Sequence, residues 1–195
     1  GGWPKRNPQF FEELQEDLKY VEYFEFTGGE PFMIKNHFKI LEHCVEKGYA
    51  KNQDIHYNTN GTQLPNPEIF DLWKHFKRVE IAFSIDDVGE PFEYQRYGAN
   101  WKDVVYNLSQ FKQLQTPNIE FQICSTISIF NIFSLAKLVL WVRNFAPKFF
   151  YVNTCFDPDV FNIQTLPRQI KDIVNGRYGD LKDFKGTLNY MNLVD

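Results

Sequence analysis

The segment 21–31 constrains the fold most, because an aromatic and β-branched run ends there in Thr27-Gly28-Gly29-Glu30-Pro31. Such a run is typical of a β-strand, and the glycines and the proline predict that the strand stops. Gly28 and Gly29 permit positive φ and a close approach of the backbone to a ligand. Glu30 would then lie at the carboxyl end of a strand, where α/β folds place their ligands. Taken alone, the segment fits an ordinary turn with a solvated Glu equally well.

Four further segments have the same pattern, a short aromatic or β-branched run that ends in hydroxyl, amide or acid side chains. They are 54–62, 78–87, 120–128 and 149–154. Helical patterns precede and separate the strands, at 7–19, 35–47, 67–76, 101–114 and 134–145. Asn66 is the predicted N-cap of the third helix, with Pro67 at its first position. This alternation predicts an α/β fold: a mainly parallel sheet or partial (β/α) barrel of about five strands with helices outside.

Right-handed crossovers put the carboxyl ends of parallel strands on one rim, so the polar strand ends are expected to face one site. The strand that ends at Phe26 is expected to be an edge strand. An exposed parallel edge is a surface through which two copies of a chain can pair, so a dimer is one possible assembly.

Composition predicts a single soluble domain with a sizeable core, since 43% of the 195 residues are hydrophobic and 24% are charged. Most of the 20 phenylalanines fall on strands and helix faces, which favours core packing over base stacking. A net charge of −4 argues against broad nucleic-acid binding. No apolar stretch is long enough to span a membrane and no secretory signal is visible, so we expect a cytoplasmic protein without membrane partners.

The motifs Thr27–Pro31, Asn58–Gly61 and Ser84–Asp87, followed by Arg96, resemble the radical S-adenosylmethionine (SAM) superfamily in spacing and order. The segment 93–104 is similar to the branch with a shortened auxiliary-cluster ("twitch") domain, which includes the molybdenum-cofactor-biosynthesis radical enzymes. The resemblance covers roughly 10–171 and implies a partial radical SAM core over 1–172. Residues 173–195 would form a helix and loop leading to a missing region.

The resemblance implies that three cysteines hold a [4Fe–4S] cluster, on which SAM is cleaved to a 5′-deoxyadenosyl radical. It assigns Gly28, Gly29 and Glu30 to the methionine amino group and Arg96 to the methionyl carboxylate. The remaining assignments are Asn60 and Ser84 along the methionyl and ribose parts, Asp86 near the ribose hydroxyls, and Thr126 and Asn153 beside the adenine. Carboxylate acceptors suit ribose diols, and a guanidinium fork suits an α-carboxylate.

The cysteines depart from the family pattern, which requires Cys-x-x-x-Cys-x-x-Cys upstream of Gly28. Cys44, Cys124 and Cys155 are far apart and have neither cluster nor zinc spacing, so we expect buried free thiols. Four scattered histidines suggest surface or capping roles. No catalytic residue or metal ligand is therefore assigned. The chain is expected to be an inactive fragment of a radical SAM enzyme with an unknown substrate, a peptide or a small molecule. The main alternative is a non-catalytic binding or scaffold module on the same fold. A third, less well supported, is an ordinary β/α-barrel enzyme that uses Glu30 or Asp86 as acid–base groups.

The cysteine spacing predicts that the purified chain is colourless and binds little iron after anaerobic reconstitution. The measurement is the visible absorption spectrum together with an iron assay. The control is a longer protein that includes a Cys-x-x-x-Cys-x-x-Cys loop upstream, which should give a brown cluster. A stoichiometric [4Fe–4S] spectrum from the 195-residue chain alone would contradict the prediction.

Overall fold

The computed structural model describes residues 7, 9–180 and 185–192, and in them five strands form one parallel sheet. Strands that are neighbours in the sequence are neighbours in the sheet. The strands are β1 (Tyr23–Phe26), β2 (Asp54–Thr59), β3 (Arg78–Ser84), β4 (Ile119–Ile127) and β5 (Phe149–Thr154). The α-helices are α1 (Phe10–Asp17), α2 (Asn36–Glu46), α3 (Pro67–Trp73), α4 (Glu90–Gln95), α5 (Trp101–Gln113), α6 (Leu135–Phe145), α7 (Arg168–Tyr178) and α8 (Lys185–Met191).

The predicted α/β architecture is confirmed, with β1 at an edge of the sheet. In the parallel register, Tyr23 of the edge strand β1 pairs with Asp54 of β2. At the opposite edge, Gln122 of β4 pairs with Phe149 of β5. Each predicted strand and helix begins and ends within about three residues of the observed one. Asn66 does occupy the N-cap of α3, although its side chain makes no capping hydrogen bond there.

Two helices differ from the prediction. The helix α4 was not predicted; Gly89 is its N-cap, and Pro91 lies in its first turn, a position that a proline fits. The helix α7 covers Arg168–Tyr178 and therefore runs through the predicted division between 172 and 173. That division stays a prediction, and its C-terminal part lies partly outside the described residues.

Contacts between Cα atoms divide the chain into two compact units. The first unit comprises residues 1–59, 63–82 and 107–120, and the second comprises residues 60–62, 83–106 and 121–195. None of the described helices is long and apolar enough to cross a membrane.

The first unit has an aromatic core. The ring of Phe32 lies 5.0 Å from that of Tyr57, 5.9 Å from that of Trp73 and 5.7 Å from that of Phe111. Phe70 packs against both Trp73 and Phe111, and all five side chains are buried. Each fully buried aromatic side chain contributes several kcal/mol by removal of apolar surface from water. This is the role that the phenylalanine content predicted.

The opposite face of the first unit's strands is polar. In β2 and β3 buried residues alternate with half-buried Asp54, His56, Arg78 and Glu80. Arg78 lies 3.1 Å from Glu80 and 3.5 Å from Asp54, and His56 Nδ1 lies 3.6 Å from the other Glu80 oxygen. Sequence analysis placed polar groups only at the strand ends, whereas the structure shows them along the strands. One sheet face thus packs against helices and the other carries ion pairs.

The second unit contains an aromatic cluster, in which Phe92 is buried and the other rings are half-buried. Trp101 packs 5.0 Å from Phe92 and 5.1 Å from Trp141, which stacks on Phe145. The Glu93 carboxylate accepts a 2.7 Å hydrogen bond from the Trp101 N–H at the start of α5. This bond satisfies one of the free N–H groups of the helix terminus and links α4 to α5.

His37 is buried in the first unit, so the expected surface role is wrong for this histidine. Its Nδ1 lies 2.5 Å from the Ile34 carbonyl oxygen and its Nε2 lies 3.1 Å from the Tyr57 hydroxyl. A neutral ring satisfies both contacts when Nδ1–H donates to the carbonyl and Nε2 accepts from the hydroxyl. Burial lowers the pKa of His37 from 6.5 to about 4, partly opposed by the Ile34 hydrogen bond.

This pKa shift predicts a pH-dependent stability. Well above pH 6.5 His37 is neutral in both the folded and the unfolded state, so its burial does not make the free energy of unfolding depend on pH. As pH falls below 6.5, the unfolded chain binds a proton that the folded chain accepts only near pH 4. The free energy of unfolding should therefore decrease across this window by at most about 1.4 kcal/mol per pH unit from this residue. Urea unfolding between pH 7.5 and 4 measures the slope.

His37→Gln should remove this part of the slope, since glutamine does not titrate. The matched control is His75→Gln, the same substitution at an exposed histidine, which separates the effect of burial from the loss of a histidine. Equal slopes in the wild type and in His37→Gln would show that His37 does not cause the acid sensitivity.

Candidate functional site

The turn after β1 has the conformation that its glycines predicted. Gly28 has φ +81° and Gly29 has φ +58°, which L-residues with side chains rarely adopt. Glu30 is buried, and its Oε1 accepts a 3.3 Å hydrogen bond from the Phe32 N–H and a 2.8 Å bond from the Thr59 hydroxyl. Glu30 thereby caps the short 3₁₀ turn that follows and ties the end of β1 to the end of β2.

In the second unit the Asp86 carboxylate joins two other predicted site residues. Asp86 Oδ2 accepts a 2.6 Å charge-assisted hydrogen bond from Arg96 Nη2, and Asp86 Oδ1 accepts a 2.8 Å bond from the Thr126 N–H. Asp86 follows β3, Arg96 is the C-cap of α4, and Thr126 lies near the end of β4. One carboxylate therefore fixes three segments relative to one another.

One buried hydrogen-bond donor of Arg96 has no partner among the described residues. This donor is Nε, although 27% of the side chain is exposed. The guanidinium also lies 5.9 Å from the Phe92 ring. An unpaired buried N–H is costly, so an anionic acceptor at Nε would stabilise the guanidinium. Nε itself is shielded from solvent, and a ligand would approach over the exposed part of the side chain.

Asp87, the neighbour of Asp86, has a structural role. It is fully buried, its Oδ1 accepts a 2.8 Å bond from the Val88 N–H, and its Oδ2 accepts a hydrogen bond from the Ser134 hydroxyl at the N-cap of α6. Burial raises the pKa of the Asp87 carboxyl, and the two hydrogen bonds oppose this. Asp87 thus anchors α6 to the end of β3.

The other predicted site residues of the second unit are less closely joined. Ser84 ends β3 and is half-buried. Asn60 Oδ1 accepts hydrogen bonds from the N–H and the hydroxyl of Thr62, at 2.9 and 2.6 Å, within its own turn. Asn153 donates to Cys124 Sγ at 3.5 Å. Asn153 also lines a cavity of about 410 Å³ along β5 and α8.

The cysteines do not fit a cluster. Cys44 is buried in α2 of the first unit, whereas Cys124 and Cys155 of the second unit are half-buried, so full burial is wrong for these two. Burial is the main cause that raises the pKa of the Cys44 and Cys124 thiols, which disfavours the thiolate that binds iron. The described residues contain no group of three or more His, Cys, Asp or Glu that could hold a metal ion.

Sequence analysis missed Asn131, which is buried between β4 and α6. Its side chain bonds to the Ser128 N–H and to the carbonyls of Asp86 and Thr126, two predicted site residues. The only sequence signal was an asparagine in a short loop, a position typical of a local turn.

Comparison with known proteins identifies the relatives of the chain. The model of the radical SAM superfamily matches residues 3–137. No curated protein matches the chain significantly.

Two of the solved structures that share the fold illustrate the likeness. One is native anSMEcpe with bound AdoMet and the Cp18Cys peptide, with a TM-score of 0.57 and 21% identity over 75% of this chain and 43% of that one. The other is SuiB of Streptococcus suis bound to S-adenosylmethionine, with a TM-score of 0.58 and 14% identity over 88% of this chain and 40% of that one. This chain therefore spans less than half the length of either protein.

Because the family model covers residues 3–137 of 195, well over half of the chain, and the parallel sheet with its outer helices agrees with it, the chain belongs to the radical SAM superfamily.

Proposed function

We propose that this chain is the SAM-binding core of a radical SAM enzyme and that Arg96 receives the methionyl carboxylate. The observation that carries the proposal is the buried, unpartnered Nε of Arg96 beside an exposed part of the same side chain, among the described residues. Family membership supplies the identity of the ligand.

The chemistry of Arg96 supports this role. Asp86 holds Nη2, which fixes the plane of the guanidinium before any ligand arrives. A carboxylate that accepted from Nε–H would remove the cost of burying that donor and gain a charge-assisted bond, about 1.5–3 kcal/mol. Since the guanidinium is already oriented, little conformational entropy is lost when the ligand binds.

The other assignments belong to the same proposal. Asp86 has spare lone pairs for a ribose hydroxyl besides the two bonds it accepts from the protein. Ser84 and Asn60 are assigned to the methionyl and ribose parts, and Thr126 and Asn153 to the adenine. In the first unit, Gly28, Gly29 and the Glu30 carboxylate are assigned to the methionine amino group.

A [4Fe–4S] cluster supplies the reducing electron in this family, and the cysteines of this chain do not fit one. No radical step follows from the residues described here. We propose that the cluster ligands belong to a Cys-x-x-x-Cys-x-x-Cys loop outside these 195 residues, and that a twitch-type domain accompanies the core in the intact enzyme.

The substrate of the intact enzyme is proposed to be a peptide in preference to a small molecule. What supports this is the peptide present with AdoMet in the anSMEcpe structure, a protein that shares the fold. The test is turnover of peptides by the intact, cluster-loaded enzyme. Absence of turnover with every peptide tried would favour a small-molecule substrate instead.

The binding proposal predicts weak but measurable SAM affinity for the chain alone, on the order of millimolar to high micromolar, because no iron anchors the ligand. Arg96→Gln should weaken binding by about tenfold or more, since it removes the charged donor. Titration followed by ¹H–¹⁵N NMR measures both affinities and reports which amides shift.

The matched control is Arg168→Gln. Arg168 also pairs with a carboxylate, Asp172 at 3.1 Å, but on an exposed helix face of the same unit. This variant should bind SAM as the wild type does. Unchanged affinity in Arg96→Gln would refute the role of Arg96, and a wild type without any SAM-dependent shifts would refute the SAM-binding core itself, leaving the scaffold module as the better account.

A further inference from the structure

Asn131 makes three hydrogen bonds from a side chain that is only 1% exposed. Its Oδ1 accepts from the Ser128 N–H at 2.8 Å, and its Nδ2 donates to the Asp86 carbonyl at 2.8 Å and to the Thr126 carbonyl at 2.9 Å. Every hydrogen-bonding group of the amide is therefore used. The two donor bonds reach the segments that follow β3 and end β4, which are far apart in the sequence.

These bonds close a ring with the Asp86 side chain. Asn131 holds the Asp86 carbonyl, and Asp86 Oδ1 in turn accepts from the Thr126 N–H. Asp86 is thus fixed both at its backbone and at its carboxylate. Its second oxygen, Oδ2, carries the bond to Arg96 Nη2. The position of the Arg96 guanidinium therefore depends on a chain of contacts that starts at Asn131.

We infer that Asn131 is a positioning residue for the anion site of Arg96, acting through Asp86; the inference rests on the proposed SAM-binding function. Asn131 does not touch the ligand in this account. It keeps the ends of β3 and β4 at the separation at which one carboxylate serves both the Thr126 N–H and the Arg96 guanidinium. Sites held in this way bind more tightly because the supporting residues preorganise them.

The test uses Asn131→Ser and Asn131→Asp. Serine is neutral and can still accept from the Ser128 N–H but cannot reach both carbonyls, whereas aspartate keeps the acceptor and loses both donor bonds. In each variant the Thr126 amide and the Arg96 Nε–H resonances should shift and exchange faster with solvent. SAM affinity should fall by about tenfold, the scale on which supporting residues act on ligand affinity.

Asn162 provides a matched control in the same unit. It is also a buried asparagine in the loop after a strand, its Oδ1 accepts from the Gln164 N–H at 2.9 Å, and its Nδ2 donates to the Tyr190 hydroxyl at 2.9 Å. Asn162→Ser and Asn162→Asp should lower the melting temperature as the Asn131 variants do. They should leave the Thr126 and Arg96 resonances and the SAM affinity unchanged.

SAM affinity and the two resonances together separate the positioning role of Asn131 from the proposed SAM-binding function. If the wild type binds SAM and the Asn131 variants bind equally well, the positioning role is wrong. If their affinity falls while the Thr126 and Arg96 resonances stay in place, or falls as much in the Asn162 variants, Asn131 does not act through Asp86. A wild type that binds no SAM defeats the proposed function and the positioning role with it, and the two resonances then show only whether the ring of bonds exists in solution.

Discussion

The carboxylate of Asp86 is the interaction on which the candidate site of the second unit depends. It accepts from the Thr126 N–H and from the Arg96 guanidinium through different oxygens, at 2.8 and 2.6 Å. Removal of this carboxylate would leave a guanidinium and a backbone N–H without their acceptor in a half-buried setting. The cost would be far larger than for an exposed ion pair, because water screens it little. The organisation of the site therefore follows from one side chain at the end of β3.

The fold was largely predictable from the sequence for a physical reason. Strands ended where Gly, Pro and small polar residues followed an apolar run, as at Thr27–Pro31, and helices lay where apolar residues recurred with a helical period. Burial was harder to predict. In β2 and β3, buried residues alternate with half-buried polar ones because the two faces of the sheet differ, and the sequence alone does not show this difference. The half-buried residues are Asp54, His56, Arg78 and Glu80. Sequence signals for secondary structure are local, whereas the environment of a face is a tertiary property.

The candidate site was predictable in its members more than in their contacts. Family motifs selected Asp86, Arg96 and Thr126, and the structure joins these three directly. They did not select Asn131, because an asparagine in a loop has many local uses and its partners lie at positions 86 and 126. Likewise, nothing in the sequence distinguished buried His37 from the other histidines. Long-range hydrogen bonds of single side chains produce no periodic pattern in the amino-acid sequence.

The hydrogen bonds of Glu30 have a consequence for how this protein can change over time. The same carboxylate caps the turn at Phe32 and accepts from Thr59, so it maintains the local structure whether or not a ligand is present. A descendant that lost its cofactor would still be selected to keep this glutamate. Its persistence across such lineages would record selection for folding as well as for ligand binding.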